Sequence, residues 1–266
     1  MKGDSALADG AMLKKAKEHW FLFSELVKRD FKKKYKRTYL GMFWSVLSPL
    51  ITLLVMHIIF SKFFGGGIEN YTIYLFCGNI IFTFFSDAAS GGMTSIMSNS
   101  EVFSKINVPK YLFVLSRNVC SLINFALTFA IFFVFCIING VAITPYFLTL
   151  IFPTICLIAF NIGVGLILSA LFVFFKDVQY LWGIFNMLLT YVSAIFYSTE
   201  TFSATARALF YLNPVYVYIS YFRTAVLGAA VPAWWLHLLA LGYAALFFAV
   251  GVLVYKKCNR KFLYYV

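Results

Sequence analysis

The chain has 266 residues but few groups suited to covalent or metal chemistry: three histidines, ten acidic residues and five cysteines. His19, His57 and His237 fall in three separate segments, and neither HExxH nor GxSxG occurs, so a metallohydrolase or serine-nucleophile site has no frame. Paired carboxylates at helical spacing inside an apolar run, which acid–base catalysis in a membrane would need, are also missing. His57 lies in mid-run and reads as a hydrogen-bonded packing residue. Asp87 is the one acid within an apolar run; the cost of a carboxylate there makes it a functional candidate, with snorkelling to the interface as the alternative. A single acid is a poor basis for ion-coupled transport. No glycine-rich loop ends in Gly-Lys-Ser/Thr, so the chain has no cradle for nucleotide phosphates. Cys77, Cys120, Cys136, Cys156 and Cys258 form no CxxC pair, and four of them lie in apolar runs where Cys acts as a small hydrophobe. The expectation is no catalytic residue, no metal ligand and no cofactor bound by this chain.

Aromatic side chains are abundant instead, with 32 Phe and 17 Tyr. Most must serve packing and interfacial belts, but a ring can also stack on the apolar C–H face of a sugar. Tyr35, Tyr39 and Phe43 at one end of the apolar body, and Tyr197, Tyr211 and Tyr221 at the other, are the candidates for a substrate path.

The elements that must position these groups follow from hydropathy and charge. With 62% hydrophobic and 12% charged residues, the chain cannot be solvated mainly by water and reads as an all-α membrane protein. Of its 22 Lys and Arg, 15 lie in the first 37 and last 11 positions. Cations that flank an apolar body mark cytoplasmic membrane ends and argue against a nucleic-acid partner. Runs near the length that crosses a bilayer place six spans at about 40–63, 71–90, 111–138, 146–174, 180–197 and 234–255, the first two joined by Gly65-Gly66-Gly67. The chain divides into a basic cytoplasmic segment 1–39, a transmembrane body 40–255 and a basic cytoplasmic tail 256–266. Glu101, Lys105, Lys110, Arg117, Lys176 and Asp177 sit in the connections expected inside, and the opposite loops carry fewer cations.

Two segments depart from plain spans. Between Ser198 and Ala233 the chain is too apolar for a solvated loop and is broken at Asn213-Pro214. Two short helices fit, Thr205 to Leu212 and Val215 to Leu227, with Asn213 as N-cap, Pro214 at the first helical position and Gly228 as the stop. Each is too short to cross, so the expectation is a re-entrant outer hairpin, about 205–227, between spans five and six. Before the first span, Trp20, Phe23, Val27 and Phe31, extended by Leu26 and Tyr35, form a stripe opposite Lys28, Lys32 and Lys33. This predicts an amphipathic interface helix with its aromatic face at the acyl boundary.

Four segments resemble the permeases of type-2 ABC exporters, above all those for polysaccharide, O-antigen and teichoic acid: RDFKKKYKRTYLGMFWSVLSPL (Arg29 to Leu50), SNSEVFSKINVPKYLFVLSRNVCSLINF (Ser98 to Phe125), FFKDVQYLWGIFNMLLTYVSAIFYS (Phe174 to Ser198) and LNPVYVYISYFRTAVLG (Leu212 to Gly228). The resemblance implies a homodimeric permease in the cytoplasmic membrane that exports a lipid-linked glycan. Two copies of a separate ABC ATPase would carry ATP and Mg²⁺. It also implies docking of the ATPase on the interface helix and on a coupling segment from Asn99 to Asn107, with Asn99, Ser100, Glu101, Val102, Phe103 and Lys105 as contacts. The hairpin, with Asn213, Pro214 and Arg223, would gate the outer side. The alternative within the same architecture is export of a drug, small lipid or other small molecule. A membrane-bound transferase would need the acid–base constellation the chain lacks.

This topology puts Cys258 inside the cell. In a variant keeping only that cysteine, a membrane-impermeant maleimide should label it only after permeabilisation, and labelling in intact cells would refute the orientation.

Overall fold

The computed structural model describes residues 17, 19–33, 41–105, 108–259 and 261–265. Helices account for its regular structure: α1 (19–33), α2 (Trp44–Phe64), α3 (Tyr71–Ser95), α4 (Ser100–Lys105), α5 (Tyr111–Ile138), α6 (Ile151–Phe174), α7 (Val178–Val192), α8 (Ala204–Phe210), α9 (Pro214–Val226), α10 (Trp234–Cys258) and α11 (Phe262–Tyr265). Among the described residues there is no strand, as expected where backbone groups must be satisfied without water. Tyr35, Tyr39, Ile106 and Asn107 lie outside the described residues.

Among the described residues five helices are long and apolar enough to cross a bilayer: α2, α3, α5, α6 with its 3₁₀ lead-in, and α10. The sequence-predicted fifth span, 180–197, is shorter than expected. α7 has 15 residues, about 22 Å at 1.5 Å per residue, against roughly 30 Å of hydrocarbon. The second span is longer than expected and continues to Ser95, so Asp87 sits two turns inside its end. Helix stops follow local chemistry. After α5, Gly140 adopts φ +72, and its N–H and that of Val141 return to the carbonyls of Ile137 and Cys136, the Schellman pattern. α9 starts as the sequence predicts, with Asn213 Oδ1 accepting from the Val215 N–H and Pro214 in the first turn.

α3 is the central helix, 72% buried, and touches α2, α5, α6, α7 and α9; the span of α2 is only 6% buried. Glycines set how closely the core helices meet. A Cβ at Gly163 of α6 would stand 2.4 Å from the Phe247 carbonyl of α10, and one at Gly251 would lie 2.5 Å from the Gly163 oxygen. On the other side of α6, a Cβ at Gly92 of α3 would come within 2.9 Å of the Gly165 Cα. α6 is thus pressed backbone to backbone on α10 and α3, the contact that small residues permit between helices in lipid. Ser169 donates to the Leu166 carbonyl and is buried. His57 meets Thr72 at 3.1 Å, a helix-to-helix hydrogen bond of the packing kind its position suggests.

A second apolar cluster collects one end of the bundle. Leu26, Phe103, Phe113, Val173, Tyr255 and Phe262 join α1, α4, α5, α6, α10 and α11. The described parts of the N-terminal segment, the coupling segment and the tail therefore meet at one end, here called the basic end.

Gly163→Ala should lower the thermal midpoint of the detergent-solubilised protein by several degrees, because α6 and α10 cannot approach with a methyl between them. Gly242→Ala, where a Cβ meets nothing within 4 Å, is the control. Equal midpoints for the two variants would show that the glycine seam does not set the packing.

Candidate functional site

At the end opposite the basic one, α7 stops at Val192, and the chain passes through Ala194 at φ +49 into a stretch without regular structure. Four successive carbonyls there each receive a side-chain donor. Arg223 Nη1 donates to Ala194 O at 2.9 Å and Nη2 to Ile195 O at 2.8 Å. Tyr71 Oη donates to Phe196 O, and Tyr74 Oη to Tyr197 O, each at 2.7 Å. The Arg223 guanidinium also reaches the Tyr74 carbonyl and lies 3.4 Å over the Tyr74 ring. A planar fork of N–H donors suits several carbonyls at once, and carbonyls just beyond a helix C-terminus favour a cation. Gly78 makes room for it, since a Cβ there would stand 3.0 Å from Nη2. The resemblance assigns Arg223 to an outer gate; the structure ties it to α3 and the chain after α7.

The joint between α8 and α9 is anchored to the same break, because Asn213 Nδ2 donates to Ser193 Oγ at 2.9 Å. The aromatic candidates separate. Tyr197 and Tyr211 are half-buried, Tyr197 among Phe64, Phe196, Phe202 and Phe210, and Tyr211 edge-on to Trp235. Tyr221 is wholly buried with its hydroxyl on His237 Nε2 at 2.7 Å, so it is a packing residue and lines no path. Phe43 is exposed near the start of α2.

At the basic end, the feature not foreseen is Asp30, 1% exposed within a strongly cationic stretch. Its carboxylate pairs with Arg29 at 2.7 Å, accepts from Ser116 Oγ at 2.9 Å and faces Arg117 at 3.6 Å. Arg29 also bonds Asn99 Oδ1, and Asn99 Nδ2 donates to the Ser95 carbonyl. One polar knot thus joins α1, the end of α3 and α5. The buried line of α1 is Leu26 and Asp30, while Trp20 is 70% exposed and Phe23, Val27 and Phe31 are half-buried. The interface helix is therefore seated on the bundle through the neighbouring face.

The coupling segment is also turned differently from expectation. Phe103, assigned as an outward contact, packs inward against Phe113 under the Lys110 ammonium, and burial holds that ammonium below its ordinary pKa. Asn99 is enclosed in the knot. Glu101 is exposed, Ser100 and Val102 are half-buried, and Lys105 closes α4.

Two cavities along α3 have polar groups in their walls. One, of about 440 Å³, opens between α2, α3 and α5; the other, of about 640 Å³, opens between α1, α3, α5 and α7 at the basic end. Asp87 and Ser121 line both. Among the described residues no three His, Cys, Asp or Glu converge as a metal site would need.

Arg223→Lys keeps the charge but loses the fork. It should lower the thermal midpoint by several degrees, since each charge-assisted hydrogen bond is worth about 1.5–3 kcal/mol, and Arg223→Met should lower it further. A native midpoint for Arg223→Met would mean that the four carbonyls are held without it.

The described site lies almost wholly within one family match. The sequence profile of the ABC-2 type transporter family matches residues 22–227, from α1 to the end of the hairpin. Among curated proteins, the O-antigen export system permease protein RfbA of Klebsiella pneumoniae is 25% identical over 247 residues, which is 91% of this chain and 95% of the relative. The protein of the same name from Myxococcus xanthus is 28% identical over 198 residues, 73% of this chain and 75% of the relative. The chain belongs to the ABC-2 type transporter family.

Proposed function

We propose that the chain is the transmembrane subunit of an ATP-driven exporter that carries a lipid-linked polysaccharide of the O-antigen kind across the cytoplasmic membrane. The observation that carries this reading is the near end-to-end match to O-antigen export permeases. Geometry adds support. α7 is fixed to α3 by Trp182 Nε1 on Ser90 Oγ and Asn186 Nδ2 on Ser86 Oγ, while Tyr180, Leu181, Ile184, Met187, Leu188 and Tyr191 are exposed. α2 is equally bare. Two uncovered apolar helices suit a homodimer whose protomers enclose a passage between them. In this arrangement α7 and the segment that follows it complete a sixth crossing, α8 and α9 form the re-entrant outer hairpin, and both termini are cytoplasmic.

Energy enters from two copies of a separate ABC ATPase, which hold the ATP and Mg²⁺. α4 presents Glu101 to that partner and anchors Phe103 in the bundle, so a push on α4 passes directly to α5. α1, seated by Asp30 on α3 and α5, is the second contact.

In cells lacking this chain, lipid-linked polysaccharide should accumulate inside and be absent from the surface, and the native gene should restore it. Unaltered surface polysaccharide without the chain would refute the reading. Complementation with Glu101→Lys should restore membrane insertion but only part of export, with less ATPase recovered on purification; full export and full recovery would place the coupling elsewhere.

A further inference from the structure

The segment that follows α10 turns back on the basic end. α11 buries Phe262 completely, against Tyr255 in the last turn of α10, with ring centroids 5.6 Å apart, and against Phe174 at the end of α6, at 6.0 Å. Between α10 and α11 the carbonyl of Asn259 accepts from Lys110 Nζ at 3.3 Å. The same ammonium stands 5.9 Å from the Phe262 ring centroid and 5.5 Å from that of Phe103 on α4. Lys110 is the N-cap residue of α5. One cation therefore joins the coupling segment, the start of α5 and the end of α10.

This contact changes what α4 rests on. A helix of six residues has little stability of its own, so its neighbours set its position. Phe113 of α5 is one of them. Lys110, held by Phe262 and the Asn259 carbonyl, is another, and it leads to α10, which is pressed backbone to backbone on α6 through Gly251 and Gly163. A shift of α4 must then either carry the end of α10 with it or part the ammonium from its rings. Exclusion of water strengthens a cation over a ring and favours the first outcome. Burial of Phe262 for stability alone would need no ammonium between the two rings. We propose that Lys110 and Phe262 are positioning residues for energy coupling: they tie α4 to the last turn of α10, so that displacement of α4 by the ATPase reaches the α10–α6 pair as well as α5. This rests on the ATP-driven exporter reading and adds to it a second route, through residues 259–262.

Cys258 ends α10 and is partly exposed, so its thiol reports on this route. The test uses the permease–ATPase complex in nanodiscs, with Cys258 as the permease's only cysteine. Its rate of maleimide labelling is measured without nucleotide and after trapping with ATP and vanadate. Trapping should change the rate by about three-fold or more, the scale of one cation–π contact. Lys110→Met keeps the apolar stem and removes the charge, and Phe262→Leu keeps apolar bulk and removes the ring; each should abolish most of that change while the ATPase is still recovered. Lys110→Arg should retain it, because a guanidinium also sits over rings. Lys261→Gln, which removes an exposed cation of the same segment, should respond as the native complex does. A native response in both Lys110→Met and Phe262→Leu overturns the proposal. So does an equal loss in Lys261→Gln, which would make net charge the cause, or loss of the ATPase from both variant complexes, which would make the contact one of assembly. A native complex whose labelling ignores nucleotide overturns it as well. None of these results touches the export reading, which is decided by surface polysaccharide in cells lacking the chain; only a native permease that recovers no ATPase sinks both.

Discussion

In hydrocarbon, a carbonyl that leaves a helix must be met by another part of the protein, because no water is there to meet it. The break after α7 is the place where this constraint is most demanding. Residues 194–197 have no helical partners for their carbonyls, and Arg223, Tyr71 and Tyr74 supply donors to all four in succession. The consequence is structural as well as energetic. α7 can be short, the hairpin can turn beside it, and α9 is held to the first turn of α3. The same rule explains other tyrosines, whose hydroxyls donate to the carbonyls of Ala240, Tyr211 and Tyr191.

The glycine seams determine what remains available to α3. With Gly92 against Gly165, α3 meets α6 by its smallest face, and its bulky residues Phe76, Phe84 and Phe85 pack on α5 and α6. The polar stripe of α3 is left to α2, α5 and α7. Two contacts use it directly, Ser90 with Trp182 and Ser86 with Asn186. The rest opens into the cavities. A polar stripe on the most buried helix is tolerable because hydroxyls can also return their proton to their own helix, as Thr94 and Ser95 do.

Hydropathy made the long spans legible because length and apolarity are local properties: 111–138 matches α5 residue for residue, and Asn213-Pro214 announced its own helix start. What was not legible depends on tertiary partners. The end of α7 carries no proline or glycine, since side chains from α3 and α9 enforce it, and an apolar run through 197 therefore reads as helix. Asp30 is hidden among cations that carry the topology signal, although it follows Leu26 by four residues on the face that proves buried. Phe103 looks like an anchor for a partner because a six-residue helix needs external support. The partner is the bundle itself, through Phe113.

These placements connect the two ends through one helix. α3 begins at Tyr71 and Tyr74, within the carbonyl latch, and ends at Ser95, whose carbonyl receives Asn99 of the polar knot. At 25 residues it is about 37 Å long. The close approach of Gly92 to Gly165 fixes where α3 crosses α6, within three residues of the end of α3. Tyr74, near the start of α3, holds the Arg223 guanidinium through both its ring and its carbonyl. Because one guanidinium serves the carbonyls of residues 194, 195 and 74 at once, separating α9 from α3 would free several acceptors together rather than one at a time.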